Sequence, residues 1–321
     1  MKAVIIIMII GAVSAWGWGE KFKTEEGKMQ ADSPRDRPSG SSHHFYYGDV
    51  HHHHDGHKHS SSHESKSSEE DDDEEKPIYY FCVGEDFGAY EYISPETGRI
   101  TGFHIDLMNA LCDEADLKCY YVMDRYANCW ETEGDVEFPG KGLLDDYYSA
   151  CIGYWPYPRR FNSFNFTLSF AKADHANAFW LKSRNDEFKE DDVKGLKIGF
   201  ISGWSVSKQC LARETGNDVN DFTSVFFESY KDMVVALRDQ KIDLMLGSRD
   251  TFVAPDDIHV GSSFDCSWNN RGPAFMLKVG NPLIKKLNKA LSNIIDDGSY
   301  GKLCEEANKQ YSSRGEIRCL D

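Results

Sequence analysis

The chain has 321 residues and a formal net charge of −17, and 40% of its residues are hydrophobic. This length gives room for roughly two globular domains. The strong acidity argues against nucleic acid or an anionic membrane surface as a partner. Beyond residue 15, no segment approaches the ~18 unbroken apolar residues of a membrane-spanning helix, so the sequence predicts no transmembrane segment.

The first 15 residues have the pattern of a secretory signal peptide. One lysine precedes an apolar run over residues 4–13, and small residues at 13–15 predict cleavage after Ala15. The mature protein is therefore expected to be soluble, secreted and extracellular. In that oxidising environment most of its nine cysteines should pair, and the odd count leaves at least one unpaired. Asn165 begins an N-glycosylation sequon, which predicts a glycoprotein if the sequon is used.

Residues 16–76 form a segment rich in histidine, serine and acidic residues, with no periodic apolar pattern. This composition cannot bury enough apolar surface to fold, so the segment is predicted to be a disordered tail. Clustered imidazoles suit Zn²⁺, Cu²⁺ or Ni²⁺, and the acidic run over residues 69–75 suits Ca²⁺. The alternative is a solvated spacer with incidental metal affinity. The predicted metal ligands are His43, His44, His51, His52, His53, His54, His57, His59 and His63.

The folded part is predicted to begin at Pro77 with a strand over residues 78–83 and a loop that contains Phe87. A turn at residues 98–101 then leads into a helix that runs to Glu114. Asp106 lies near the amino end of this helix, where a carboxylate complements unpaired N–H groups. The next strand is predicted over residues 118–123.

A second apolar strand ends at Gly153 and is followed by two prolines, which prevent regular structure from continuing. Arg160 follows on a short turn at the carboxyl end of this strand, where open α/β sheets bind ligands. Its guanidinium offers a planar set of donors that suits a carboxylate. The alternative from spacing alone is a surface arginine in a proline-rich loop.

Later segments repeat the strand-to-helix pattern. The strand near residues 197–201 turns through Gly203 towards a helix start at Trp204 and Ser205, whose free N–H groups could hold a carboxylate. A helix with amphipathic spacing is predicted over residues 230–240, followed by a segment that contains Asp243 and Ser248.

These motifs, taken in order, resemble the family 3 extracellular solute-binding proteins, which are periplasmic amino-acid-binding proteins. The resemblance extends over about residues 77–311. It implies that Arg160 grips a ligand carboxylate, and that Ser248 replaces the aspartate that holds the ligand's ammonium group, with Asp250 as a substitute. It also implies a Cys112–Cys119 disulfide. The implied ligand contacts are Phe87, Gly153, Trp155, Tyr157, Arg160, Trp204, Ser205, Ser248 and Asp250.

The resemblance implies an α/β protein with the two-lobe type II periplasmic-binding fold and a ligand cleft between the lobes. Lobe 1 is expected over residues 77–172 plus 270–321, and lobe 2 over residues 176–262. The expected fold also brings Cys210 near Cys266 and Cys304 near Cys319. Cys82 and Cys151 are expected on neighbouring core strands as buried thiols.

Three functions remain open from the sequence. The first is a secreted protein that binds a small carboxylate or amino-acid-like ligand and needs no cofactor. The second is an extracellular metal-binding or mineral- and matrix-associated protein, in which the tail acts and the lobes are a scaffold. The third is a dehydratase-like enzyme, because a few relatives of the family have that activity. We expect no enzyme, since the sequence offers no triad or paired carboxylates, and His104 and His175 are predicted to be isolated structural histidines.

Overall fold

The computed structural model of the protein describes residues 76–134, 136–185, 187–189, 191–204 and 208–321. The predicted signal peptide, the histidine-rich part of the tail, the acidic run and Ser205 lie outside these described residues.

Two classes of element make up the described chain. Its strands are β1 (Ile78–Val83), β2 (Tyr92–Ile93), β3 (Ile100–Thr101), β4 (Lys118–Met123), β5 (Trp130–Glu133), β6 (Val136–Pro139), β7 (Ala150–Tyr154), β8 (Phe164–Phe166), β9 (Ala176–Leu181), β10 (Lys197–Ile201), β11 (Thr223–Phe227), β12 (Leu244–Gly247), β13 (Ile258–Phe264) and β14 (Ala274–Lys278). Its α-helices are α1 (Phe103–Glu114), α2 (Lys141–Leu144), α3 (Lys208–Thr215), α4 (Tyr230–Arg238), α5 (Leu283–Asp296) and α6 (Ser299–Gln310).

The strands form two five-stranded sheets with the same pattern of pairing. The first sheet has the order β4-β1-β7-β14-β8, and the second has the order β11-β10-β12-β9-β13. In each sheet, three neighbouring strands pair in parallel, the fourth pairs antiparallel with the third, and the fifth pairs antiparallel with the fourth. The chain leaves the first sheet after β8 and returns to it with β14, so two crossings join the lobes. This is the predicted α/β two-lobe fold.

Helices cover the sheets because their apolar residues recur at helical spacing. In lobe 1, Leu107 and Leu111 of α1 share one core with Leu287 and Leu291 of α5 and with residues of the first sheet. In lobe 2, α3 packs with one set of buried residues and α4 with another. Burial on both faces explains why the parallel strands are nearly continuous apolar runs.

The backbone turn before α1 requires glycine. Gly102 has φ of 124°, and a Cβ atom there would lie 2.5 Å from the carbonyl oxygen of Tyr90. Glycine alone tolerates this conformation and this close approach. The turn brings the first residues of α1 against the loop that follows β1, and the His104 amide donates to the carbonyl oxygen of Tyr90.

Four disulfides are present among the described residues. Cys112–Cys119, Cys210–Cys266 and Cys304–Cys319 are the pairs expected from the fold. The fourth, Cys129–Cys151, contradicts the prediction that Cys151 is a thiol. Its partner Cys129 precedes the β5–β6 hairpin (Trp130–Pro139), which lies against the strand that carries Cys151. Cys82 is the free cysteine of the described chain and is buried beside this disulfide.

None of the helices in the described part of the chain is long and apolar enough to cross a membrane.

Candidate ligand-binding site

A pocket lies where the carboxyl ends of strands from both sheets meet, as expected for ligand sites of α/β sheets. It encloses about 510 Å³ of empty space, part of it open to solvent. Its lobe 1 lining comes from the segment after β1, from the end of β7 and the segment that follows it, from the start of α1 and from the turn before β5. Its lobe 2 lining consists of Ile201, Gly203, Trp204, Glu228, Ser229 and Tyr230.

Arg160 is the buried cation of this pocket, on a 3₁₀ turn over Pro158–Asn162 that follows β7. Its side chain is 1% exposed. Nη1 donates a hydrogen bond to the carbonyl oxygen of Trp155 at 2.9 Å, and Nη2 donates to that of Gly203 at 2.8 Å. Burial lowers the pKa of Arg160 to about 10, so the guanidinium is charged at neutral pH.

The charge of Arg160 has no carboxylate partner at ion-pair distance among the described residues. Its guanidinium lies 5.3 Å from the ring centre of Trp130 and 5.4 Å from that of Tyr154, which provide cation–π contacts. The Nε atom is buried without a hydrogen-bond partner. The neighbouring Arg159 differs, because it is 40% exposed and forms an ion pair with Glu137 at 2.8 Å.

Aromatic rings from both lobes form the walls of the pocket. The ring centre of Trp204 lies 6.1 Å from that of Phe87 and 6.2 Å from that of Tyr230. Tyr126 completes the group, with its ring centre 6.4 Å from that of Phe87. Aromatic faces carry negative charge density, so such a set accepts an apolar or cationic group.

A buried carboxylate and imidazole line the pocket beside these rings. Glu91 and His104 are each 1% exposed, and Nδ1 of His104 lies 2.9 Å from Oε2 of Glu91. Oε1 of Glu91 accepts hydrogen bonds from the Gly84 amide at 2.7 Å and from the Tyr126 hydroxyl at 3.0 Å. The prediction that His104 is isolated is therefore wrong.

Five residues predicted to contact the ligand line this pocket: Phe87, Gly153, Trp155, Arg160 and Trp204. Ser205 lies outside the described residues, as do the nine tail histidines.

Three others are not among the residues that line the pocket. The hydroxyl of Tyr157 donates to the carbonyl oxygen of Cys266, in the second crossing. Ser248 is completely buried, and its backbone is bonded to the hydroxyl of Tyr230. The carbonyl oxygen of Asp250 accepts from the Glu316 amide near the end of the chain. These contacts bind the Tyr157 hydroxyl and the backbone of Ser248 and Asp250 to other parts of the protein.

Sequence reasoning missed Glu91, Tyr126 and Tyr230. The loop at residues 84–91 is predicted to contribute an aromatic residue. Nothing in its pattern indicates that the carboxylate of Glu91 contacts His104 of α1. The sequence predicts no element at Tyr126, and the resemblance assigns it no role. Asn165, which begins the glycosylation sequon, lies on β8 and is exposed at the surface.

The fold and the pocket together define a two-lobed α/β protein with a cleft between its lobes. No protein-family model matches the sequence. ABC transporter arginine-binding protein 1 of Escherichia coli is 25% identical over 237 residues, which cover 70% of this chain and 88% of that protein. A probable amino-acid-binding protein of Bacillus subtilis is 23% identical over 234 residues, which cover 70% of this chain and 82% of that protein.

Solved structures agree with this comparison at the level of the fold. A periplasmic binding protein of Salmonella typhimurium, described as having high arginine specificity, matches with a TM-score of 0.58 at 18% identity. The match covers 71% of this chain and 98% of that protein. The chain thus has the two-lobe fold of periplasmic amino-acid-binding proteins, and the predicted resemblance to family 3 solute-binding proteins is confirmed.

Proposed function

We propose that this protein is a secreted binding protein that holds a small amino-acid-like ligand between its two lobes. The observation that carries this proposal is the guanidinium of Arg160, which is buried and charged with no carboxylate at ion-pair distance among the described residues. A buried charge without a counter-charge is costly, and a ligand carboxylate would supply one. Two of the five N–H donors are used by carbonyl oxygens, and the free Nε–H together with the remaining Nη donors can bind that carboxylate.

The rest of the pocket favours a ligand that also carries a positive charge. Asp86, Glu91 and Glu228 line it against the single charge of Arg160. Asp86 is partly compensated by an ion pair with Arg314 at 2.6 Å, whereas Glu91 is buried and bonded only to neutral donors or to His104. The aromatic walls add attraction for a cation. The names of two relatives specify arginine binding, which supports a cationic amino acid as the ligand.

The replacement of the ammonium-binding aspartate by Ser248 fits this proposal. Ser248 is not part of the lining, so the counter-charge for an α-ammonium group comes from the pocket carboxylates Glu91 and Glu228. A site of this kind differs from that of the family in how it holds the amino group.

We also propose that the protein is secreted and that it binds its ligand without catalysing a reaction. Four disulfides support an oxidising compartment, because such bonds are rare in the cytosol. The relatives named above are described as binding proteins, which favours binding over a dehydratase-like activity.

Titration calorimetry of the full chain with L-arginine, L-lysine, L-glutamine and L-glutamate tests the proposal. We expect a cationic amino acid to bind and the Arg160→Ala variant to bind it about 30- to 1000-fold more weakly, equivalent to roughly 2–4 kcal/mol. Arg160→Lys should recover part of this loss, because an ammonium cannot make a bidentate contact.

Arg159→Ala is the matched control, since that side chain is half exposed and paired outside the pocket. Circular dichroism and the melting temperature establish that each variant folds. Binding by none of the amino acids, or equal binding by wild type and Arg160→Ala, would contradict the proposal.

A further inference from the structure

We infer that the Glu91–His104 pair recognises an N–H group of the ligand, and that Nε2 of His104 accepts the hydrogen bond from it. This inference rests on the proposed function and names the chemistry of one part of the same pocket.

The first step is the unused nitrogen of His104. Its Nδ1 atom is bonded to Glu91, but its Nε2 atom is buried and has no hydrogen-bond partner among the described residues. His104 lines the pocket, so a ligand in the pocket is the available partner. A buried polar atom without a partner destabilises the protein, and a ligand hydrogen bond would remove that cost.

The second step is the fixed position of the imidazole ring. The ring of Phe87 stacks on it at 6.3 Å between centres, and the rings of Tyr90 and Phe170 lie 5.1 and 5.3 Å away. Gly153 borders the imidazole from β7 with φ of 85°, and a Cβ atom there would lie 2.7 Å from Cε1 of His104. Glycine at this position therefore lets β7 pack closely against the imidazole, which fixes the position of the ring.

The third step assigns the proton on the ring. Oε1 of Glu91 accepts from the Gly84 amide and the Tyr126 hydroxyl, and Oε2 faces Nδ1 of His104. A carboxylate offers only acceptors, so Nδ1 carries the hydrogen. In the neutral imidazole, Nε2 then has a lone pair and accepts from an N–H donor. An ammonium or guanidinium group fits, and the negative charge of Glu91 behind the ring also attracts it.

The Glu91→Gln variant should reverse this proton arrangement. The donors from Gly84 and Tyr126 both point at Oε1, so the amide oxygen of the glutamine must occupy that position. The amide nitrogen then faces Nδ1 of His104 and donates to it, which moves the ring hydrogen to Nε2. In this variant, Nε2 of His104 would be a hydrogen-bond donor that faces a ligand group that is also a donor. The hydrogen bond to the ligand would therefore be lost.

Calorimetry with L-arginine and ¹⁵N NMR of histidine-labelled full chain test the inference together. We expect Glu91→Gln to weaken L-arginine binding about 10- to 100-fold. In the free wild-type protein, the NMR signals should show the proton on Nδ1 of His104, and the Nε2 signal should shift when L-arginine binds. In Glu91→Gln the proton should appear on Nε2. His104→Gln identifies the signal among the twelve histidines.

Asp106→Asn is the control for a carboxylate-to-amide change outside the pocket lining. Asp106 accepts from the Tyr311 hydroxyl and is not among the pocket-lining residues, so L-arginine affinity should not change. If wild type binds L-arginine but the Nε2 signal does not move, the inference is overturned while the proposed function stands. If wild type binds L-glutamine or L-glutamate but no cationic amino acid, the inference is again overturned while the proposed function stands, and binding of none of the four amino acids overturns both. The wild-type NMR result decides the inference even if Glu91→Gln does not fold.

Discussion

Nη2 of Arg160 donates a hydrogen bond to the carbonyl oxygen of Gly203 at 2.8 Å, which joins the buried guanidinium of lobe 1 to the loop after β10 in lobe 2. The Gly203 amide also donates to the hydroxyl of Thr132 in lobe 1 at 3.2 Å. One glycine therefore contacts lobe 1 through both its backbone groups. The approach of the two lobes at the pocket depends on this position.

Gly203→Ala should prevent this close approach. A Cβ atom at Gly203 would lie 2.3 Å from the carbonyl oxygen of Trp130, and φ of 77° is unfavourable for alanine by about 1–2 kcal/mol. We expect L-arginine affinity to fall by at least about tenfold, because the lobe 2 wall moves away from Arg160. Calorimetry measures the affinity, and thermal unfolding measures the accompanying loss of stability.

Gly195→Ala is the matched control for this substitution. Gly195 has nearly the same φ, 78°, but a Cβ atom there has no neighbour within 4 Å. Gly195→Ala therefore has the free-energy cost of a positive φ for alanine, but its Cβ atom does not clash with a neighbour. Equal effects of the two variants on ligand affinity would show that the approach of Gly203 to Trp130 is not required for binding.

Trp204→Ala should weaken the binding of a cationic ligand. Trp204 links the aromatic rings of the two lobes, so its removal opens one wall of the pocket. Loss of a cation–π contact of about 0.5–2 kcal/mol corresponds to roughly 2- to 30-fold in affinity. Trp204→Phe should retain part of the affinity. Trp268→Ala, at a position that is 44% exposed and outside the lining, should have no effect on the same titration.

Local pattern and resemblance predicted much of the architecture. The apolar run at residues 78–83 and the helix that ends at Glu114 appear as β1 and α1, because each element buries the face that its spacing defines. The sequence predicts Arg160 at the carboxyl end of β7, because Gly153 and two prolines precede it. The structure adds that its donors reach a carbonyl oxygen of the other lobe.

The pairs that complete the pocket depend on tertiary packing and had no local signal. Glu91 and His104 belong to different elements, and the turn at Gly102 brings them together. The β5–β6 hairpin (Trp130–Pro139) has no counterpart among the elements predicted from the sequence, and it carries Trp130 to the guanidinium. The sequence likewise offered no local signal for the Cys129–Cys151 disulfide.

The histidine-rich tail should bind Zn²⁺ or Cu²⁺ independently of the pocket. Its nine histidines occupy residues 43–63, outside the described residues, and clustered imidazoles are good ligands for these ions. Calorimetry should show uptake by the full chain that falls below about pH 6, as the imidazoles protonate. A full-length variant with asparagine at these nine positions should lose this uptake.

A second tail variant separates the two kinds of metal ligand. Neutralising the acidic run over residues 69–75 should reduce Ca²⁺ binding and leave Zn²⁺ uptake largely intact, because carboxylates prefer hard cations. Undiminished Zn²⁺ uptake by the nine-asparagine variant would refute the assignment of the site to the histidines. It would also remove the basis for a metal-binding or matrix-associated function of this segment.

Asp174 should make the stability of the folded protein fall between acidic and neutral pH. It lies in the first crossing between the lobes, is 6% exposed, and has one buried carboxyl oxygen without a partner among the described residues. Burial raises its pKa to about 7, compared with ~3.9 in an unfolded chain. Between these two values the folded state binds more protons than the unfolded state. The contribution of Asp174 to stability is therefore complete below about pH 4 and is lost as the pH rises to about 7.

Asp174→Asn should remove this dependence, because an amide does not titrate. Relative to wild type, the variant should gain on the order of 2–4 kcal/mol in the free energy of unfolding as the pH rises from about 4 to 8. Urea unfolding of both proteins with their disulfides intact, at half-unit steps of pH, measures this difference. Other titrating groups cancel in the comparison. Parallel stability curves for the two proteins across that range would show that Asp174 is ionised in the folded state throughout.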